Sequence, residues 1–283
     1  MLWNKARRSD NVNDTREGKD ARTLTGKTLG AGLAAAALTG AALYSTLDTA
    51  PPERPATEHQ ISEQLVQTSD PQLHFIESIL GDTEDTWQPL FAQTGQQYSA
   101  PTLTLFNDGV VSGCGYAGAS AGPFYCPENK QIYLDPNFFQ QMAERFSVVG
   151  DFAQAFIIAH EVGHHVQLEL GLSAPFEAAL SAREPVIGDG GLEVRAELQA
   201  DCLAGVWAHH AQKRLAWLEP GDIDEALNAA SVFGDDFLQS AKNRTVRPDT
   251  FSHGTSQQRS AWFSAGFERG VIDACDTFNA DRL

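Results

Sequence analysis

The stretch FIIAHEVGHHVQ, residues 156–167, constrains the fold of this chain more than any other. It places three histidines and one glutamate directly after an apolar run. Between Asp151 and Gly171, apolar residues recur every three to four positions, which predicts a helix that starts at the first of these residues and stops at the second. The apolar part of such a helix is buried, so its polar end must face a cleft.

His160 and His164 lie one helical turn apart, so their side chains point the same way. Two imidazoles at that separation can both bind one zinc ion. The carboxylate of Glu161 can hold a water molecule and accept its proton as the water attacks a carbonyl group. His165 is rotated about 140° from the ligand face and is interpreted as a packing or supporting residue. The alternative to a metal site is an ordinary helix with a solvated polar end.

Three acidic residues repeat at four-residue intervals in the next predicted helix, LEVRAELQADCLAGVWAHHAQKRL. Glu193, Glu197 and Asp201 share one face of it. Such a stripe is usually solvated, but the flanking positions are apolar here, and burying an unpaired carboxylate is costly. We therefore predict Glu197 as the third zinc ligand. Asp201 is predicted to be a hydrogen-bond acceptor that orients a ligand imidazole.

The chain is strongly acidic, with a formal net charge of −17. This argues against nucleic acid as a partner, because binding to phosphates needs clustered lysine and arginine. The 283 residues are 42% hydrophobic, which is enough for the core of one large domain or two small ones.

The amino-terminal region has the charge pattern of a membrane anchor. Residues 1–28 carry a net positive charge, and residues 29–47 contain no charged side chain. Nineteen uncharged residues approach the roughly 20 needed to span a bilayer, and the positive-inside rule places the N-terminus in the cytoplasm. We therefore predict a cytoplasmic leader at 1–28, a transmembrane anchor at 29–47, a linker at 48–72 and an extracytoplasmic domain at 73–283. A buried alanine-rich helix and a cleaved signal peptide are the alternatives.

Four cysteines allow two disulfide bonds in an exported domain. Cys114 and Cys126 flank a glycine-rich stretch and are the natural local pair, which leaves Cys202 and Cys275 as the other pair. Four reduced, buried thiols are the alternative for a cytosolic domain.

The order of the predicted elements is typical of an α+β fold. The runs TLTLFN, GPFYC and QIYLD predict a small sheet with antiparallel pairs. Before them, residues 73–95 have helical spacing with stops at Gly81 and Gly95. After them, helices are predicted in the histidine-containing segment, in the acidic-stripe segment, over residues 222–241 and in the C-terminal tail. The domain at 73–283 is thus predicted to be a small sheet followed by a helical half.

Several sequence blocks also carry a family resemblance. They are HEVGHHVQ, ELQADCLAGVW, GDIDEALNAASVFGDD, HGTSQQR and CDTF, with the upstream blocks LWNKARRSDNVND, GPFYCP and YLDPNFF. Together they closely resemble the bacterial putative neutral zinc metallopeptidase family over nearly the whole chain. This resemblance implies a zincin-like metallopeptidase domain, with zinc as its cofactor, on an N-terminal anchor. The spacing of Glu197 and Asp201 is also similar to the third-ligand motif of gluzincins.

Two further residues are weighed as donors to the oxyanion that forms in peptide hydrolysis. His253, in SHGTS, is the predicted donor, and the alternative is a solvated loop histidine. Tyr133, in QIYLD, is better interpreted as a strand aromatic that packs in the core.

These features predict a membrane-anchored zinc endopeptidase that acts on peptide or protein substrates. His160, His164 and Glu197 are the predicted ligands, and Glu161 is the predicted general base. Two other hypotheses are a zinc-binding envelope scaffold with weak or no activity and a helical domain that binds no metal. The sequence carries no prediction of the oligomeric state.

Overall fold

The computed structural model describes residues 1–16, 70–118, 121–242 and 245–283. The strands are β1 (Val12–Asp14), β2 (Thr102–Leu105), β3 (Gly109–Ser112), β4 (Gly115–Gly118), β5 (Phe124–Cys126) and β6 (Gln131–Leu134). The helices are α1 (Pro71–Thr94), α2 (Asn137–Phe146), α3 (Asp151–Leu170), α4 (Ala174–Ala182), α5 (Leu192–Leu215), α6 (Asp222–Val232), α7 (Asp235–Ala241) and α8 (Ser256–Arg269). The sheet is complete before the helical half begins, which confirms the predicted α+β order.

Four strands form one mixed sheet in the order β1-β2-β6-β5. β1 and β6 run parallel to β2, and β5 runs antiparallel to β6. The three predicted strands are present with shorter ends, but only one pair in this sheet is antiparallel. The hairpin of β3 and β4, which was not predicted, forms a separate two-stranded sheet.

Aromatic and aliphatic side chains of α1, α3, α5 and α6 form the main core against the sheet. Its largest fully buried members include Trp87, Trp207, Trp217, Phe91, Phe152, Phe156 and Phe263. Fully burying a side chain of phenylalanine size stabilises a fold by roughly 1.5–3 kcal/mol. The core therefore holds α3 and α5 rigidly at the point where their polar residues meet.

The amino-terminal segment packs across α1. Side-chain hydrogen bonds from Arg7 and Ser9 reach the buried carboxylate of Glu84, at 2.6 and 2.5 Å. The crossing is so close that a Cβ atom on Gly81 would lie 2.5 Å from the carbonyl oxygen of Arg7. Gly81 therefore makes room for this segment. The helix stop predicted there is wrong, because α1 continues through it.

The predicted cytoplasmic leader at 1–28 needs correction over its described part. Val12 and Asp14 of β1 pair with Leu103 and Leu105 of β2, so this segment belongs to the same compact unit as the helical half. The predicted anchor at 29–47 and nearly all of the linker at 48–72 lie outside the described residues. Within the described ranges, no helix is both long enough and apolar enough to cross a bilayer. A single crossing between residues 16 and 70 would separate β1 from β2, so their pairing argues against a leader and a domain on opposite sides of a membrane.

The pairing of β1 with β2 makes a testable prediction about membrane topology. We expect cysteines introduced at the exposed positions Asp10 and Glu268 to react with a membrane-impermeant maleimide under the same conditions in cells. The physical reason is that β1 and β2 share backbone hydrogen bonds. Labelling is compared in intact, osmotically opened and lysed cells. Reaction of one position alone before lysis would contradict the same-side topology.

Close helix crossings bring residues from three helices together. Where α3 meets α5, a Cβ atom on Gly163 would lie 2.9 Å from the carbonyl oxygen of Ala200. Where α8 meets α5, Gly205 and Gly266 leave no room for side chains between the two backbones. Glycine at these positions lets the polar groups of α3, α5 and α8 come within hydrogen-bonding distance.

The helix predicted over residues 222–241 is broken into two. α6 ends at Val232, and α7 begins at Asp235. Gly234, between them, packs against the backbone of Ser256, where a side chain would collide. The break turns the Asp235 carboxylate towards the loop that precedes α8.

Both predicted disulfides are present. The first, Cys114–Cys126, ties the β3–β4 hairpin to β5. The second, Cys202–Cys275, ties α5 to the short 3-10 turn Ile272–Cys275. Each bond thus fixes an element that adjoins the cleft or its ligand helix.

Candidate metal centre

The three predicted ligands converge between α3 and α5. Nε2 of His160 lies 3.3 Å from one carboxylate oxygen of Glu197, and Nε2 of His164 lies 3.4 Å from the other. One donor atom from each residue lies within 4.8 Å of the other two. The four-residue spacing on α3 stacks the imidazoles one turn apart, with ring centroids separated by 4.8 Å.

The other nitrogen of each imidazole is already bonded. Nδ1 of His160 lies 2.8 Å from Oδ1 of Asp201, and Nδ1 of His164 lies 2.9 Å from Oε1 of Gln167. Both partners accept, so each Nδ1 carries the hydrogen and each Nε2 is left for a metal. Two imidazole nitrogens and one carboxylate, with a fourth position open, are the donor set of a catalytic zinc site. The residues present therefore fit zinc.

Burial and neighbouring charges have opposite effects on the pKa values of this cluster. Burial lowers the pKa of both histidines, but Asp201 beside His160 and Glu197 beside His164 outweigh it, so both pKa values are raised. Burial raises the pKa of Glu197, but His164 and His160 bring it well below its usual range. Without metal, protons are thus held between the imidazoles and this carboxylate. Zinc must displace them on binding.

Asp201 is fully buried and is held by an arginine. Its two oxygens accept hydrogen bonds from Nε and Nη2 of Arg259, each at 2.8 Å. Arg259 lies on α8 and also donates to the carbonyl oxygen of Phe233. Burial raises the pKa of Asp201, but Arg259 and His160 lower it below the usual value. Asp201 is thus a fixed, charged acceptor for His160.

Arg259 was not predicted as a site residue, although it lies in the block HGTSQQR. Arginine in the first turn of a helix usually indicates solvent exposure, and this one is 3% exposed. The signal that was present is the predicted burial of Asp201, because a buried carboxylate needs a cationic or hydrogen-bonding partner.

Glu161 lies beside the ligands in the wall of a cavity of about 510 Å³. Its side chain is buried, and among the described residues no side chain donates a hydrogen bond to its carboxylate. The carboxylate is therefore available to accept a proton. Most of the cavity wall around it is apolar and comes from Phe124, Phe138, Ile157, Phe233 and Leu238.

His253 lies in the same cavity wall and is positioned by Asp235. One carboxylate oxygen of Asp235 accepts the backbone N–H groups of Ser252, His253 and Gly254 at 2.7–3.0 Å. Nδ1 of His253 contacts the hydroxyl of Ser252 at 2.8 Å and the other Asp235 oxygen at 3.4 Å. Burial lowers the pKa of His253, but Asp235 and the charge of Glu197 raise it overall. His253 thus lies in the same cavity wall as the predicted ligands, with its ring held beside Asp235.

The remaining histidine of the motif is a supporting residue. Nε2 of His165 donates to the carbonyl oxygen of Ser99 at 2.6 Å, and its Nδ1 therefore accepts from the hydroxyl of Tyr125 at 3.0 Å. Tyr125 belongs to β5 and lines the cavity. His165 thereby fastens the β5 edge of the sheet to the ligand helix.

Two other candidates lie apart from the cluster. The Tyr133 ring is buried and stacks on Phe124, and its hydroxyl bonds to Asn129 and Gln131, as expected for a packing residue. Glu193 is partly exposed, and burial and the charge of Glu197 raise its pKa. It is not among the residues that could share a metal with His160.

The match to a known family covers almost the whole chain. Residues 1–278 match the family described as "Putative neutral zinc metallopeptidase". The chain belongs to this family. Membership supports zinc as the cofactor and, at a coarse level, peptidase chemistry.

Proteins similar to this chain are present in different bacteria. The uncharacterized protein YpfJ of Escherichia coli strain K12 is 40% identical over 288 residues, which cover 98% of this chain and 99% of that protein. The uncharacterized protein Rv2575 of Mycobacterium tuberculosis strain H37Rv is 41% identical over 207 residues, which cover 70% of this chain and 67% of that protein. No solved structure gives a significant match.

Proposed function

We propose that this protein is an extracytoplasmic zinc endopeptidase. The observation that carries the proposal is the convergence of His160, His164 and Glu197 beside Glu161, whose carboxylate accepts no side-chain hydrogen bond from the described residues. A purely structural zinc site is normally closed by four protein ligands. Here three donors face an open cavity that also holds an acid–base group.

His160, His164 and Glu197 would hold the zinc ion. When bound, zinc acts as a Lewis acid that polarises a carbonyl group and lowers the pKa of water. Glu161 accepts the proton of the attacking water and can pass it to the leaving amine. His253, oriented by Asp235, donates a hydrogen bond to the developing oxyanion. Asp201 keeps the His160 ring in place through this chemistry.

The cavity supports a peptide substrate with a large apolar side chain next to the scissile bond. Its wall is formed by aromatic and aliphatic groups, including the stacked pair Phe138 and Phe233. Among the described strands, β5 pairs only with β6, so its outer edge is open. Phe124 and Tyr125 of β5 line the cavity, and an extended peptide can add to that edge.

The two disulfides support an extracytoplasmic location. Disulfides persist in oxidising compartments and are rare in the reducing cytosol. All four cysteines are paired in the structure. Because β1 pairs with β2, the proposal places residues 1–16 in the same compartment as the helical half.

The proposal predicts metal-dependent hydrolysis by the purified full-length chain. We expect cleavage of fluorogenic peptides that carry phenylalanine or leucine beside the scissile bond, and little cleavage of matched peptides with aspartate or glycine there. Removal of zinc with 1,10-phenanthroline should abolish cleavage, and stoichiometric zinc should restore it, because three protein ligands hold one ion. A protein that binds one zinc ion yet cleaves none of a broad peptide library would favour the scaffold hypothesis.

A further inference from the structure

We propose that Gln167 and Gln199 are positioning residues for His164, and that the Cys202–Cys275 disulfide holds the far end of the relay that they form. The inference rests on the proposed zinc site, because its consequence is how firmly His164 presents Nε2 to the metal. Neither glutamine contacts the three ligand atoms themselves.

The first link joins the two ligand helices. Oε1 of Gln167 accepts from Nδ1 of His164 at 2.9 Å. Nε2 of Gln167 donates to the carbonyl oxygen of Ala196 at 2.7 Å and to Oε1 of Gln199 at 3.1 Å. Ala196 directly precedes Glu197. A single amide on α3 therefore binds both the His164 ring and the backbone beside the carboxylate ligand on α5.

The second link leads to the disulfide. Nε2 of Gln199 donates to the carbonyl oxygen of Cys275 at 2.8 Å. Both glutamines are almost fully buried, at 2% and 3% exposure, so no bulk water competes for these bonds. Cys275 is bonded covalently to Cys202 on α5. The acceptor at the end of the relay is therefore tied to the helix that carries Glu197.

The direction of every bond follows from the last acceptor. A backbone carbonyl can only accept, so the Cys275 oxygen requires the NH₂ group of Gln199. Oε1 of Gln199 then faces Gln167 and requires its NH₂ group, which turns Oε1 of Gln167 towards His164. That oxygen requires a hydrogen on Nδ1, which leaves the lone pair of Nε2 for the metal. The relay thus sets the tautomer of His164.

The two ligand histidines are held by different means. His160 is held by the charged pair of Asp201 and Arg259. His164 is held by neutral amides, whose oxygen and nitrogen ends are similar in shape and can be exchanged by rotation. The Gln167 amide is oriented by two acceptors, the Ala196 carbonyl oxygen and Oε1 of Gln199, so loss of Gln199 weakens its orientation without releasing it.

The test compares two substitutions of Gln199 that have nearly the same shape. Gln199→Met removes both hydrogen bonds and leaves the Ala196 carbonyl as the one acceptor for the Gln167 amide, so we expect zinc affinity to fall, but by less than the roughly 10–100-fold expected when Gln167 itself is replaced. In ¹H–¹⁵N spectra the Nδ1–H proton of His164, which the bond to Gln167 should protect in the wild type, should exchange faster in this variant. Gln199→Glu keeps the acceptor for Gln167 but loses the donor to the Cys275 oxygen, so its loss of affinity and of proton protection should be smaller than that of Gln199→Met. If both variants lost zinc affinity equally, and in proportion to their loss of folding stability, the relay would be overturned.

The role of the Cys202–Cys275 disulfide is tested with a second pair of variants and with a combined variant. Replacing Cys202 and Cys275 with serine should weaken zinc binding, whereas the matched pair Cys114 and Cys126 should tolerate serine without this change. Adding Gln199→Met to the Cys202/Cys275 variant should cause little further loss, because both act through one relay. Full additivity would overturn the assigned role of the disulfide. The protected Nδ1–H proton is also measured without metal, so it tests the relay even if the wild type binds no zinc.

Discussion

Replacement of Glu161 by glutamine should abolish most peptide hydrolysis while leaving zinc bound. Glutamine has nearly the volume and shape of glutamate, but it cannot accept a proton at neutral pH. General base catalysis by one side chain contributes about 10²–10⁴-fold, so we expect kcat to fall by that factor. Glu161 lies in the cavity wall outside the cluster of three ligands, so zinc affinity should stay within about twofold of the wild type, a difference of under half a kcal/mol.

The control for this variant is its metal content. Zinc per chain and the melting temperature are measured on the same samples as kcat, because the ordinary effect of a mutation near a metal is loss of the metal. A variant that hydrolyses peptides as fast as the wild type would remove Glu161 from the reaction. A variant that loses zinc as well would show that Glu161 serves the metal site.

Glu161→Gln also separates the enzyme from the scaffold hypothesis. A scaffold needs the zinc ligands and their supporting bonds, but it has no use for a base in the cavity. Identical binding properties in the wild type and the variant, with no hydrolysis by either, are expected of a scaffold. The open cavity favours the enzyme, as does the Glu161 carboxylate, which accepts no side-chain hydrogen bond within the described ranges.

The ligand helix was predictable from local spacing alone. A repeat of apolar residues and the separation of His160 from His164 depend only on helix geometry, and α3 spans Asp151–Leu170 as predicted. Gly163 of α3 packs on Ala200 of α5, so small residues near Glu197 let the ligand helix come close. Local pattern is informative here because the chemistry needs residues one helical turn apart.

The partners supplied by distant segments were not predictable in the same way. Arg259 reaches Asp201 across 58 positions, and its pairing depends on the crossing of α8 over α5. Asp235 reaches the His253 loop only because the chain turns at Gly234, and the apolar pattern through that turn had predicted one continuous helix. A single sequence shows the spacing of apolar residues along a helix. It does not show where contact with a distant segment ends that helix.

The amino-terminal segment is a second case in which a contact with a distant part of the chain was not predictable from the sequence. Its charge pattern and the uncharged stretch after it predicted a leader outside the domain. The structure instead places the buried carboxylate of Glu84 on α1 as the partner of Arg7 and Ser9. Basic residues can pair with membrane lipids or with buried acids, and sequence periodicity does not distinguish the two.

The three acids on α5 should differ sharply when each is replaced by alanine. Glu197→Ala should abolish the zinc binding that survives gel filtration, because Glu197 is the only acid of the three whose oxygens approach both ligand Nε2 atoms, at 3.3 and 3.4 Å. Asp201→Ala should weaken binding by about 10–100-fold, since it removes the acceptor of His160 Nδ1. Glu193→Ala should change the affinity little, because its partly exposed carboxylate lies outside the cluster.

Asp201→Ala needs its own control, because it also leaves the buried charge of Arg259 without its carboxylate partner. Breaking a buried ion pair typically destabilises a fold by about 3–5 kcal/mol. The double variant Asp201→Ala with Arg259→Met removes that charge together with the acceptor, so it should regain stability while its zinc affinity stays reduced. Affinities are measured by competition with a chelator at a temperature where every variant is folded. Loss of zinc in Asp201→Ala together with its retention in Glu197→Ala would reverse the assignment, making the site a two-histidine, one-aspartate centre.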